Sequence, residues 1–316
     1  MTLQEAEAKV RELDEELEKL TQLTEHDLDT DAVRNELKKA KERVLKLAYQ
    51  NLTSYDRVYL ARKPTRPNVR EYIENLFDNF FEQRGDRHCR DDGAIIGGIA
   101  TFNGTPVTVI GNLKGRNLEE NIKCNFGMAN PEGYRKALRL MKQAEKFKRP
   151  IITFIDTSGA YPGIEAEKHG QGEAIARNLM EMCSLTVPII AIVIGEGGSG
   201  GALALSVANR IWMLENAIYS ILSPEGFATI LWKDGSRAKE ASELMKLTAA
   251  DLLDLNVIDL IIQEPIGNLR EHADVVYNQI RSHLVSELAA LGKMSERALL
   301  DQRYKKFRSI GDCSGL

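Results

Sequence analysis

Two stretches of this chain share one design, an apolar run that ends abruptly in glycine. The first is Ile151-Ile152-Thr153-Phe154-Ile155, followed by DTSGAYPG over 156–163. The second is Pro188 and the run to Ile194, followed by GEGGSGGALA over 195–204. Short runs rich in β-branched residues and bounded by turn signals read as buried strands. A helical pattern follows each. Glycine lets the backbone turn sharply and leaves its N–H groups uncovered. At a helix start those groups have no intrahelical acceptor. Such a place suits an anion or a developing oxyanion.

Around these stretches the chain alternates between strands and helices, which implies βαβ units and an α/β fold. Residues 1–50 read as two helices. Val10, Leu13, Leu17 and Leu20 recur at heptad-like spacing in one, and Val33, Leu37, Ala40, Val44 and Leu47 in the other. The polar segment 24–31 between them can cap and turn, which predicts an antiparallel hairpin, either an assembly arm or a helix pair packed on its own core. Residues 55–70 read as a rigid basic segment with Arg57, Arg62, Lys63, Arg66 and Arg70, broken by Pro64 and Pro67. Such a segment can meet phosphate groups or serve equally as a surface linker. An amphipathic helix is predicted over 71–82. A hairpin over 95–102 and 106–111 turns at Asn103-Gly104. Helices are predicted from Asn130-Pro131 to about Lys148 and over 165–183, and the chain from 269 to 304 reads as largely helical. Three parts are expected: a helical hairpin (1–53), the α/β domain (54–268) and a helical tail (269–316).

Composition excludes several classes. Hydrophobic residues are 43% and charged residues 28% of 316, with a net charge of −4. No basic field argues for nucleic acid, and no apolar run approaches the roughly 18 residues of a membrane helix. The N-terminus is acidic and helical in pattern, unlike a signal peptide, so a cytoplasmic location is expected. Cys89, Cys124, Cys183 and Cys313 do not pair at metal-ligand spacing, and no metal is expected in this chain.

Three chemistries compete for the glycines. No lysine follows Gly201, so the phosphate-loop pattern is absent. The segment 195–200 matches G-x-G-x-x-G literally, but no acid follows at the end of a next strand to hold a ribose. A nucleophile elbow fits better. Gly197-Gly198-Ser199-Gly200-Gly201 matches G-x-S-x-G between a strand and a helix, which would make Ser199 a nucleophile with His272 or His283 and Asp259. The third reading needs no side-chain nucleophile: two neighbouring turns offer backbone N–H groups to an enolate or a ureido oxyanion.

The stretches NFGM (125–128), PEGYRKA (131–137), DTSGAYPG (156–163) and GEGGSGGALA (195–204) together closely resemble the alpha-subunit family of bacterial and plastid acetyl-CoA carboxylase carboxyltransferases. Gly85-Asp86-Arg87, Lys114-Gly115-Arg116, Ser223-Pro224-Glu225 and Ile230-Leu231-Trp232 extend the likeness over nearly the whole chain. Ser158 departs from it where proline is expected, Lys168-His169 where Glu-Arg is expected, and Asn268-Leu269 where small residues are expected.

The resemblance implies a crotonase-like fold of repeated ββα units. It also implies transfer of a carboxyl group from carboxybiotin, on a biotin carboxyl carrier protein, to acetyl-CoA, giving malonyl-CoA for fatty acid synthesis. A beta subunit carrying a zinc-binding domain is implied, in an α2β2 core, with ATP used by a separate biotin carboxylase. The backbone N–H groups of Gly200, Gly201 and Ala202 then become the expected oxyanion hole. Gly159, Ala160, Gly198, Phe126, Gly127 and Arg66 are the expected substrate-binding residues.

Overall fold

The apolar runs become the middle of one eight-stranded sheet. The structure, a computed structural model, describes residues 2–23 and 28–311. The strands are β1 (Asp78–Glu82), β2 (Ile95–Phe102), β3 (Thr105–Asn112), β4 (Ile151–Thr157), β5 (Ile189–Gly198), β6 (Arg210–Leu214), β7 (Ile218–Ser220) and β8 (Leu260–Ile262). Their order across the sheet is β1-β2-β3-β4-β5-β6-β8, with β7 beside β5. β1, β2 and β3 pair antiparallel, and β3 through β6 and β8 pair parallel. Every residue of β4 and β5 is buried, as expected for parallel strands covered on both faces. β5 outlasts β6: it pairs β6 over Ile190–Val193 and β7 over Glu196–Gly198. Its glycines therefore belong to the strand, and the expected turn at Gly195 moves to Ser199.

Helices cover the sheet because their apolar stripes have nowhere else to go. Helix Pro131–Lys146 buries Tyr134, Ala137, Leu140, Met141 and Ala144 at helical spacing. Pro131 opens it, where a missing N–H costs nothing. The hairpin between β2 and β3 turns at Asn103 and Gly104, both with positive φ, as predicted. Helices Ala273–Leu291 and Glu296–Ser309 bury Val276, Ile280, Leu284, Leu291 and Leu299 in the same core as the sheet.

Three predicted elements differ. The helix over 71–82 is a helix only over Val69–Leu76, and Asp78–Glu82 is the edge strand β1. Asn79 sits at φ 54 and the register shifts there, so the backbone cannot continue helical. The helix over 165–183 is interrupted: Ile164–Lys168 ends at His169, and Gln171–Ser184 follows Gly170, whose φ is 83. The basic segment contains the helix Ser54–Ala61, capped by a reciprocal Thr53–Asp56 box.

The N-terminal helices Leu3–Leu23 and Leu28–Tyr49 form the hairpin, tied by Lys41 to Asp14 at 2.6 Å. Of the predicted turn over 24–31, residues 24–27 lie outside the described residues, as does Cys313, while 28–31 already belong to the second helix. The hairpin's base packs on the domain through Leu3, Ala6, Ala48 and Leu60, and the Tyr49 hydroxyl donates to the Gly267 carbonyl at 3.0 Å. Among the described residues, no helix is long and apolar enough to cross a membrane.

Candidate active site

The ends of β4 and β5 touch. A Cβ built on Gly201 would lie 2.7 Å from the Ala160 nitrogen and 2.7 Å from the Gly159 carbonyl carbon, and one on Gly198 would run into the Ser158 carbonyl. Only glycine lets the two turns approach this closely. The segment 158–160 after β4 thus forms one wall, and the start of helix Ser199–Ser206 the other.

The donors can be counted. Gly198 is the N-cap of that helix and offers no side-chain cap. The first-turn N–H groups of Ser199, Gly200 and Gly201 have no helical acceptor. Ser199 has φ 53, outside the helical region, so Ala202, expected as a third donor with Gly200 and Gly201, also falls within the first turn. Across the cleft, the Gly159 N–H is taken by the Thr157 hydroxyl at 3.1 Å. The Ala160 N–H has no hydrogen-bond partner among the described residues. The wall is braced from behind, where the Gln171 amide donates to the Ala129 and Tyr161 carbonyls, each at 2.9 Å.

Phe126 and Gly127 are brought to the same edge. Asn125, Phe126 and Gly127 all have positive φ, and a Cβ on Gly127 would lie 2.8 Å from the Asp156 carbonyl. Phe126 is left 46% exposed beside the strand end.

Beneath the turns lies a charged cluster that residue patterns did not reveal. Asp156 is next to last in β4 and Glu196 lies near the end of β5, both buried. Lys114 bridges them, at 2.7 Å from Asp156 and 3.0 Å from Glu196. Arg62 binds the other oxygen of Glu196 at 2.8 Å and Glu225 at 2.7 Å. Burial pushes Glu196 up, but Lys114 and Arg62 outweigh it and hold the carboxyl below its ordinary range. Burial likewise pulls Lys114 down, and the two carboxylates more than restore it. The hint in the sequence was an acid near the end of each of two otherwise apolar strands. Tyr134 also lies under the cleft: its buried hydroxyl has no partner and would lie 2.8 Å from a Cβ on Gly201.

The structure gives Arg66 a different place from the one expected. Its guanidinium is buried, paired to Glu264 at 2.6 and 3.0 Å and donating to the Ile194 carbonyl at 2.9 Å. Lys63 pairs with Glu7. The basic segment therefore spends Arg62, Lys63 and Arg66 on acids from other elements rather than presenting them to a ligand.

The model of the family described as acetyl co-enzyme A carboxylase carboxyltransferase-like matches residues 3–311. The chain belongs to this family. A Clostridium acetobutylicum relative, named acetyl-coenzyme A carboxylase carboxyl transferase subunit alpha, is 60% identical over 262 residues, 83% of this chain and 96% of that one. A Natranaerobius thermophilus relative named for subunits beta/alpha is 59% identical over 262 residues, 83% of this chain and 43% of its own length. Among solved structures, the transcarboxylase 12S hexamer with methylmalonyl-coenzyme A bound superposes with a TM-score of 0.58 at 19% identity. That match covers 73% of this chain and 43% of the other, so this chain spans less than half of it. The likeness is one of fold, the crotonase-type fold of carboxyltransferases.

The serine-hydrolase reading finds no triad. His283 packs edge-on against Trp212, and His272 is exposed at the start of a C-terminal helix. Asp259 is taken by Lys306 and the Ile211 N–H. No hydrogen bond joins Ser199 to any of them among the described residues.

Proposed function

We propose that this chain is the alpha subunit of an acetyl-CoA carboxylase carboxyltransferase, and that with a beta subunit it carboxylates acetyl-CoA to malonyl-CoA. The observation that carries the reading is the cleft between the two glycine turns, in a chain matched by the family over residues 3–311. Carboxybiotin, delivered on its carrier protein, supplies the carboxyl group and the ureido atoms that take up charge and the acetyl α-proton as that group leaves. The first-turn N–H groups of Ser199, Gly200 and Gly201 point at the place where this charge develops, and the helix dipole favours it there. Ala160 adds an N–H from the facing wall. The tight packing of Gly198 and Gly201 on 158–160 fixes these donors before substrate arrives, so no reorganisation is needed during the reaction. Phe126, exposed at the rim, offers an apolar face to the bicyclic ring.

A second set of donors for the acetyl thioester is assigned to the beta subunit. The relative in which beta and alpha are one polypeptide supports such pairing. ATP chemistry and zinc belong to other components in this reading. The test is to purify this chain and its beta subunit and to follow malonyl-CoA-dependent carboxylation of biocytin. Neither chain alone is expected to turn over, and the mixture is. Full activity from this chain alone would refute the proposal.

A further inference from the structure

Away from the cleft, three side chains of different chemistry converge. Cys89 comes from the loop before β2, Glu132 from the first turn of helix Pro131–Lys146, and His169 from the end of helix Ile164–Lys168. A ligand atom of each lies within 4.8 Å of those of the other two. We propose that Cys89, Glu132 and His169 form a binding site for a divalent cation of the zinc class.

The donor set decides the class. One sulfur, one imidazole nitrogen and one carboxylate oxygen suit a borderline ion such as Zn2+, and the sulfur disfavours Mg2+ and Ca2+. Three protein ligands leave a fourth position for water. Glu132 gives an independent sign. Its side chain is fully buried, yet one carboxylate oxygen has no hydrogen-bond partner. A buried carboxylate oxygen left without a partner is costly, and a cation would satisfy it. The other oxygen meets His169 Nδ1 at 2.6 Å. Arg90 and Arg135 stand 3.4 and 3.6 Å from that same oxygen, on the side already satisfied.

The loop that carries Cys89 is held in place. Asp86 accepts from the backbone N–H groups of His88, Cys89 and Arg90 at 2.9, 2.8 and 3.2 Å, and from Arg135 at 3.1 Å. Arg135 also donates to the His169 carbonyl at 3.0 Å, so the two flanks of the site are already joined. Coordination would release the Cys89 thiol proton to solvent and clamp the 85–91 loop to the segment that follows the 158–160 wall.

The site does not depend on the proposed reaction, and neither does its test. The full-length chain, reduced and freed of metal, is titrated with Co2+, and Zn2+ affinity is read by competition with a chromophoric chelator. The expected result is one equivalent bound, with a thiolate-to-cobalt charge-transfer band. Cys89→Ser should abolish the band. His169→Arg, which gives this position the residue of the family pattern, should weaken binding by at least about tenfold, the loss typical even of outer-shell changes at metal sites. Circular dichroism checks that both variants fold; Cys89 is exposed and His169 half-buried. No binding by the wild-type chain would overturn the proposal, as would an unchanged band in Cys89→Ser.

Discussion

Lys114 stands between two buried carboxylates, and its charge keeps both in place. Replacing it by methionine leaves Asp156 and Glu196 facing each other, with Arg62 as the remaining partner of Glu196. Breaking a buried pair costs ~3–5 kcal/mol, and the partial exposure of Lys114 puts Lys114→Met near the lower end. The pH dependence has a definite sign. Glu196 is held below its ordinary range, so its contribution is fully present above the unfolded carboxyl value and is lost as pH falls through the lower folded value. In Lys114→Met part of that contribution is already gone. Denaturant titrations should therefore show the gap between wild type and variant narrowing as the pH drops from 7 to below about 4. A gap that widens would mean that the pair does not hold Glu196. This cluster was hard to foresee because its members lie far apart in sequence, with 134 positions separating Arg62 from Glu196. Arg62, Lys63 and Arg66 looked like a ligand-binding patch for the same reason: local sequence shows the cations and hides the acids that fold onto them.

The turn between β5 and its helix discriminates among glycines that look alike in sequence. A Cβ on Gly201 would meet backbone of the facing wall at 2.7 Å, whereas one on Gly200 would meet only the Ile175 side chain, at 3.4 Å. Gly201→Ala should therefore force the walls apart, with loss of both stability and carboxyl transfer. Gly200→Ala should keep the melting temperature near wild type, because alanine suits a first helical turn and its methyl would meet only the Ile175 side chain, so its loss of carboxyl transfer should be far smaller than that of Gly201→Ala. Equal destabilisation of the two would show that the walls are not in contact. Ser199→Ala retains every backbone donor and should keep most activity in the reconstituted complex. Loss of one oriented donor typically costs ~100- to 1000-fold, so a drop of that size in Ser199→Ala would give the hydroxyl a direct role. The glycine turns were legible because periodicity and composition change together there. The end of β5 was not: GEGG reads as a turn until β7 is known to pair with it, and that pairing is tertiary. Edge strand β1 failed similarly, since EYIENLFDNFFE keeps a helical stripe that only the backbone at Asn79 interrupts.

Across the whole molecule, the N-terminal hairpin divides into a base that belongs to the domain and a tip that does not. Leu3, Ala6 and Ala48 are buried with Leu60, Glu7 pairs with Lys63, and Tyr49 reaches Gly267. Among the described side chains from Arg11 to Arg43, none is buried. The heptad spacing that predicted the hairpin is satisfied by the two helices covering each other, with Val33 still 48% exposed. A short antiparallel helix pair with so little buried surface is marginal by itself, and whether it serves assembly can be tested directly. Because the helices run side by side, residues 11–43 can be replaced by a short Gly/Ser linker without disturbing the base. The chain alone should then melt within a few degrees of wild type, since no core residue is lost. The complex formed with the beta subunit should fall in mass by light scattering, or dissociate at lower salt. A large drop in melting temperature would place the tip in the folding core, and an unchanged complex would make it dispensable for assembly.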